Sequence, residues 1–247
     1  MLMVRSKFKV CELFGIPINV DISFAILLFI FLMDFGSLTF GLAAALTLAV
    51  SVTLHELGHA LTAAAFGFRT RDITLSLLGG CASLTSLPRK AWQEFLTALA
   101  GPLVSFAIAG AVLLLDVFEV RIENGWLRGV LAYAFYMNIM LGGFNLLPGF
   151  PMDGGRIFRS VMRTFLSRPR ATLVAMWVGR VFAILLALRG VHSILTGGSW
   201  GFISILIAWM IWREGMREYQ MALQEESWNR WTQDDFNARV SPPPYDR

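Results

Sequence analysis

Residues 42–66 read LAAALTLAVSVTLHELGHALTAAAF, an apolar run that contains His55, Glu56 and His59. A helix that crosses a hydrocarbon core needs about 20 apolar residues, so the run is long enough to span a membrane. Positions i and i+4 of a helix lie on one face, so the two histidines can bind one zinc ion while Glu56 lies beside its open coordination position. Ionisable groups inside a membrane are costly and usually functional. The run predicts hydrolytic zinc chemistry within a membrane; the alternative is a chance pattern whose histidines bind helix carbonyls or water.

The composition predicts an all-α integral membrane protein. Hydrophobic residues make up 56% of the 247-residue chain and charged residues 15%, whereas charged residues are about 25% of a typical soluble domain. No early segment has the features of a cleaved signal peptide, so we expect the first span to be retained. About six transmembrane helices are predicted, over residues 23–40, 42–66, 95–115, 126–147, 171–191 and 200–212.

Basic residues predict the orientation of these spans. Most Lys and Arg residues fall in the N-terminal segment, in the second-to-third and fourth-to-fifth connections and after the sixth span, whereas Arg121, Arg128 and Arg189 fall on the other side. The positive-inside rule then places both termini in the cytoplasm of a multi-pass, prokaryotic cell-membrane protein. Anionic lipid of the bilayer accounts for the net charge of +4, and no nucleic-acid partner is needed.

A small membrane-associated β-sheet is predicted beside the helices. Residues 72–87 partly alternate apolar and polar side chains around Gly79-Gly80, a pattern typical of a strand, a glycine turn and a strand. Residues 8–20 also have strand character and can extend that sheet. An edge strand near the histidines would offer hydrogen bonds to an extended substrate backbone. The alternative is a surface hairpin without a role in substrate binding.

A second irregular segment follows the fourth span. Residues 145–156 read NLLPGFPMDGGR, and the prolines and glycines must break the helix there. A catalytic zinc commonly has three protein ligands and one water, and two histidines with one carboxylate are a known set. Asp153 is the best-placed acid in the chain. Local sequence alone favours the alternative, a turn or helix-cap aspartate before the Gly-Gly pair.

Taken together, the His55-Glu56-Leu57-Gly58-His59 motif and the Asn145-x-x-Pro148-x-x-Pro151-x-Asp153-Gly154 motif resemble the site-2 protease family of intramembrane zinc metalloproteases. The resemblance extends to Gly15-Ile16-Pro17, Gly79-Gly80 and Ala100-Gly101-Pro102, and covers most of residues 1–215. In many relatives the third-span motif continues to an asparagine where this chain has Ser105, which leaves that polar contact in doubt.

The resemblance implies a role for each site residue. His55, His59 and Asp153 are expected to bind one Zn²⁺ per chain, Glu56 to act as the general base, and Asn145 to hold the substrate or the oxyanion. The expected reaction is cleavage of a transmembrane segment of a single-span protein in regulated intramembrane proteolysis. The rival hypothesis is a non-catalytic membrane metal-binding protein, either a transporter or a pseudoprotease, but an inactive relative has little need to keep Glu56.

Residues 1–215 are predicted to form the protease domain, and residues 216–247 a cytoplasmic, flexible or amphipathic tail. No PDZ or CBS domain is apparent in the sequence. His192 is expected at the membrane interface and not at a metal. Asp34 and Arg180 are charges within apolar runs for which the sequence leaves pairing, a water path and snorkelling open. Oligomeric state is not predicted.

Overall fold

Residues 7–26, 29, 37–76, 79–84, 90–198 and 201–240 are described by the structure, a computed structural model. The chain forms two compact units, Met1–Leu147 and Pro148–Arg247. Both lie largely within the predicted domain 1–215, and the break between them falls in the Pro/Gly-rich segment that follows the fourth predicted span.

The first unit contains a four-stranded sheet. Phe14 and Gly15 form the turn between the first two strands with positive φ angles of 51° and 76°, as two-residue hairpins require. In the order β1-β2-β3-β4, the outer pairs are antiparallel and β2–β3 is parallel. The strands are β1 (Lys7–Leu13), β2 (Ile16–Asp21), β3 (Thr70–Ser76) and β4 (Gly79–Leu84).

The prediction of a small sheet is confirmed, and the N-terminal strand region extends it. The predicted glycine turn is wrong in position, because Gly79 and Gly80 are the first residues of β4 and pair with Ser76 and Leu75 of β3. Residues 77 and 78, which connect the two strands, and residues 85–87 at the end of the predicted hairpin lie outside the described residues.

Three long helices complete the first unit: α1 (Leu38–Ala65), α2 (Ala91–Val117) and α3 (Gly125–Asn145). Asn124 caps α3, because its side-chain oxygen accepts hydrogen bonds from the two amides at 126 and 127. Buried side chains of β2, β3 and α1, among them Ile18, Ile73 and Val52, form one hydrophobic cluster. The sheet therefore packs against α1, the helix that carries the two histidines.

The regular elements described in the second unit are helices, joined by turns. α3 ends at Asn145 and α4 begins at Asp153, so the predicted break of the helix is confirmed. The second-unit helices are α4 (Asp153–Met162), α5 (Arg168–Leu195) and α6 (Gly201–Val240). Residues 201–212 of the sixth predicted span and residues 216–240 of the predicted tail therefore belong to one continuous helix.

Among the described helices, α1, α2 and α5 are long and apolar enough to cross a membrane. The chain is therefore a mostly helical membrane protein with a small sheet. The fourth and sixth predicted spans lie in α3 and α6, and much of the first lies outside the described residues, as does Asp34. Six spans and the orientation of the termini stay predictions.

Candidate metal centre

His55 and His59 lie one turn apart on α1, as their spacing predicts. Their ring centroids are 4.9 Å apart and the ring planes are inclined by 80°. Both residues are buried, with exposed fractions of 2% and 8%. Two imidazoles held this close in an apolar interior are well placed to share one metal ion.

The Nδ1 atom of each histidine contacts α2. His59 Nδ1 lies 2.7 Å from the Thr97 carbonyl oxygen, and His55 Nδ1 lies 2.9 Å from Ser105 Oγ. A carbonyl oxygen can only accept, so His59 Nδ1 carries the proton and its Nε2 keeps the lone pair that a metal needs. A ligand histidine commonly donates its other ring nitrogen to such a partner, which fixes the tautomer and the ring orientation.

Gly101 provides the space into which both Nε2 atoms point. A Cβ atom at this position would collide with His59 Nε2 and would lie 2.7 Å from His55 Nε2. Pro102, the next residue, removes one intrahelical hydrogen bond at this level of α2. The two converging Nε2 atoms and the missing side chain at Gly101 fit a zinc ion, for which imidazole nitrogen is a common ligand.

Gly58 allows α1 to approach α2 closely. A Cβ at Gly58 would lie 2.8 Å from Val104 Cγ2 and 3.0 Å from the Ala100 carbonyl oxygen. The glycine of the His-Glu-x-x-His motif therefore serves packing, since only a residue without a side chain lets the histidines reach the backbone of α2.

Glu56 is buried, with an exposed fraction of 9%, and lies under strand β4. A Cβ at Gly80 would collide with Glu56 Cγ and would lie 2.7 Å from its Cδ and 2.8 Å from its Oε1. Gly80 is therefore the point at which the edge strand of the described sheet passes directly over the carboxylate. The carboxylate, the two histidines and an extended backbone thus meet within the first unit.

Helices α1 and α3 run parallel. Near the start of α1, the Phe40 ring packs edge-on against Tyr133 with centroids 6.5 Å apart. Further along, Asn138 Nδ2 donates to Ser51 Oγ at 2.9 Å. From the first contact to the second, residue numbers increase along both helices, so the two helices run in the same direction.

Asn145 is the last residue of α3, seven residues after Asn138. Its Nδ2 donates to the Leu141 carbonyl oxygen at 2.9 Å, and the proposed contact with substrate stays a prediction.

Asp153 is the first residue of α4, in the second unit. Its predicted alternative role as a helix-start aspartate fits this position, because a carboxylate is favourable at a helix N-terminus. Its assignment as third zinc ligand stays a prediction that rests on the resemblance.

Two other sequence-selected residues lie in the second unit. His192 is exposed in the last turn of α5. The Arg180 guanidinium stacks on two tryptophan rings, 4.8 Å from the Trp177 centroid and 4.4 Å from the Trp212 centroid. The sequence left pairing, a water path and snorkelling open for Arg180. The structure shows a cation–π contact, which the sequence did not suggest.

Comparisons with known proteins show the family to which the chain belongs. The model of the family described as Peptidase family M50 matches residues 43–121 and 119–188. The chain belongs to this family. Because the solved structure of the site-2 protease from Methanocaldococcus jannaschii aligns with a TM-score of 0.66, the resemblance to site-2 proteases is confirmed. That alignment has 32% sequence identity and covers 86% of this M50 chain and 95% of the other.

Two relatives carry names that describe an activity. A zinc metalloprotease of Methanocaldococcus jannaschii is 37% identical over 191 residues, which cover 76% of this chain and 55% of that protein. A protein of Synechocystis sp. named as a zinc metalloprotease is 32% identical over 257 residues, which cover 97% of this chain and 66% of that protein. The M50 chain thus spans between about half and two thirds of the length of these relatives.

From the sequence, Gly101 and Ser105 were recognised only as part of the third-span motif, without a contact to the histidines, and Thr97 was not singled out. Thr97, Gly101 and Ser105 are spaced by four residues, so they lie on one face of a helix, and this spacing was a readable signal. The polar contact that the sequence left in doubt at Ser105 is present, since Ser105 Oγ lies 2.9 Å from His55 Nδ1.

Proposed function

We propose that this chain is a zinc-dependent intramembrane endopeptidase that cleaves transmembrane segments of single-span membrane proteins. The observation that carries the proposal is the convergence of two oriented histidines, the space at Gly101 and the buried Glu56 within helices α1 and α2 and strand β4. Membership of family M50 and relatives named zinc metalloproteases support the same chemistry.

We propose one zinc ion per chain, bound by His55, His59 and Asp153. A zinc ion held there supplies a Lewis acid that polarises the scissile carbonyl and lowers the pKa of a bound water. The Thr97 carbonyl oxygen keeps His59 in the tautomer that leaves Nε2 unprotonated, and Ser105 Oγ orients the His55 ring. The substitution Asp153→Asn replaces the proposed carboxylate ligand by an amide. We expect it to lower the zinc content without changing the fold of the first unit.

Glu56 is the proposed general base. Its carboxylate accepts a proton from the attacking water and then delivers it to the nitrogen of the leaving amine, so the glutamate is restored at the end of the reaction. Burial beneath β4 keeps the carboxylate away from bulk solvent. Asn145, the last residue of α3, is proposed to donate a hydrogen bond from its carboxamide to the substrate carbonyl.

Strand β4 is the proposed docking edge for substrate. It is an edge strand of the described sheet, and Gly80 brings its backbone onto Glu56. A peptide that adds to a sheet edge must be extended, so a transmembrane helix has to unwind before it can be cut. We therefore expect segments with helix-breaking residues to be cleaved faster than a rigid polyleucine segment of equal length.

The test is cleavage of a tagged single-span reporter by purified wild type, Glu56→Gln and the control Glu123→Gln, which alters an exposed glutamate. We expect Glu56→Gln to lose at least 100-fold in rate, since general acid–base catalysis contributes about 10²–10⁴-fold. Zinc content should equal that of wild type in both variants. Bound zinc with no cleavage by wild type across reporters would favour the non-catalytic metal-binding alternative.

A further inference from the structure

A buried ion pair joins α6 to α4 in the second unit. Arg159 Nη1 donates to Glu218 Oε2 at 2.9 Å, and Arg156 Nη2 lies 3.9 Å from the other carboxylate oxygen. The Arg159 side chain is only 4% exposed and that of Glu218 15%. Glu218 lies beyond the sixth predicted span, in the segment that the sequence predicts as a flexible tail.

The same arginine covers the segment that precedes Asp153. Its guanidinium carbon lies 4.9 Å from the centroid of the Phe150 ring, and Phe150 is only 1% exposed. Glu218 thus orients Arg159 from one side, while Arg159 holds Phe150, three residues before Asp153, from the other.

Glycine contacts hold the rest of this segment. A Cβ on Gly149 would lie 2.5 Å from Gly179 Cα on α5, and a Cβ on Gly155 would lie 2.6 Å from the carbonyl carbon of Gly149. The chain around residue 149 therefore has α5 on one side and the first turn of α4 on the other. Phe150 is the buried aromatic side chain of this segment, and Arg159 lies over its ring.

We infer that Glu218 is a positioning residue for the metal centre: through Arg159 and Phe150 it fixes the backbone that presents Asp153. The inference rests on the proposed function, in which Asp153 is a zinc ligand. It makes the helical extension of α6 a supporting part of the site. Outer partners that orient a metal ligand commonly change metal affinity by about 10–100-fold when they are removed.

Glu225 offers a matched control on the same helix. Its Oε1 accepts a hydrogen bond from Arg168 Nη1 at 2.6 Å. This Arg–Glu pair joins the extension of α6 to α5, as the pair of Glu218 with Arg159 joins it to α4. The two glutamates thus differ in the arginine that they contact, and Glu218 is the one bonded to the arginine above Phe150.

The experiment measures zinc release from the purified full-length chain after addition of excess chelator, for wild type, Glu218→Gln, Glu225→Gln and Phe150→Leu. We expect release to be about tenfold faster or more in Glu218→Gln and Phe150→Leu, and unchanged in Glu225→Gln. Reporter cleavage at saturating zinc should show a lower kcat for Glu218→Gln with little change in KM. The melting temperatures of all four proteins are recorded alongside.

A purely structural role predicts a different pattern. Glu218→Gln would then lower the melting temperature, and Glu225→Gln would lower it less, because the Glu225 side chain is 39% exposed and that of Glu218 15%. Zinc release would equal that of wild type in both, and that result would overturn the inference. Phe150→Leu keeps an apolar side chain under Arg159, so it tests the same chain of contacts if Glu218→Gln does not fold, and wild-type release from it would also overturn the inference. Wild type without zinc would instead refute the proposed function, and the inference with it.

Discussion

Replacement of Gly101 by alanine adds one methyl group where the two histidines converge. The new Cβ would collide with His59 Nε2 and lie 2.7 Å from His55 Nε2. An ordinary contact between such atoms is about 3.5 Å, so the rings have to move by roughly 1 Å to clear it. Zinc–nitrogen bonds are about 2.0–2.1 Å long. The two Nε2 atoms therefore cannot both stay at bonding distance from a zinc ion once the methyl group occupies the space between them.

We expect Gly101→Ala to weaken zinc binding by about 100-fold, which corresponds to about 2.8 kcal/mol at 1.4 kcal/mol per tenfold. Gly110→Ala is the matched control: it lies on the same helix, and nothing lies within 4 Å of the position of its Cβ. Both changes improve helix propensity by about 0.8–1 kcal/mol, so neither should unfold α2 for backbone reasons.

The assay is competition for zinc with a chelator of known affinity, with far-UV circular dichroism of each protein in detergent as the check on folding. The expected result is wild-type affinity for Gly110→Ala and a large loss for Gly101→Ala, with equal helicity in the two. If folded Gly101→Ala bound zinc as tightly as wild type, the two Nε2 atoms would not be the ligands and the assignment of the centre would be refuted.

Three further predictions follow from the same contacts. Ser105→Ala removes the partner of His55 Nδ1 and should weaken zinc binding by about tenfold, measured by the same competition. Ser105→Asn keeps a polar side chain at this position and should bind zinc more tightly than Ser105→Ala. Gly80→Ala should lower the cleavage rate by about tenfold or more with zinc content unchanged, because its methyl group displaces the Glu56 carboxylate; equal rates would show that β4 does not control the base. Burial alone would raise the pKa of Glu218, but the neighbouring arginines outweigh it and hold this pKa below the ordinary 4.5. Its contribution to stability is therefore present above pH 4.5 and is lost as the pH falls toward the lower folded-state pKa, so the stability difference between wild type and Glu218→Gln should shrink below pH 4.5; a constant difference would contradict this reasoning.

The functional residues of α1 could be predicted from the sequence because their helical spacing and their ligand chemistry are both visible within five consecutive positions. His55, Glu56 and His59 need only the i, i+4 geometry of one helix to be placed together. The Pro/Gly-rich break after Asn145 was predictable for a similar local reason, since proline and glycine limit what the backbone can do there.

The contacts between elements distant in sequence were not predictable in the same way. Ser105 is 50 residues from His55, and nothing in either local pattern shows that α2 packs on α1 in the register that joins them. The parallel pairing of Ile18 with Ile73 likewise depends on how α1 returns the chain to the sheet.

The helical continuation of α6 shows a further limit. Its residues are charged and polar, a composition that by itself predicts a solvated tail. The structure adds pairs along the helix, such as Arg217 with Glu214 at 3.2 Å, and the pairs of Glu218 and Glu225 with arginines of α4 and α5. Charges that look solvated in sequence are in part paired across elements.

The most direct test of the central claim is reporter cleavage by purified wild-type chain before chelation, after removal of the metal and after addition of zinc, with the cut site located by mass spectrometry. The account predicts that cleavage disappears with the metal, returns with zinc, and occurs at a peptide bond inside the transmembrane segment. Undiminished cleavage by chain verified to be free of metal, or a cut only outside that segment, would contradict it.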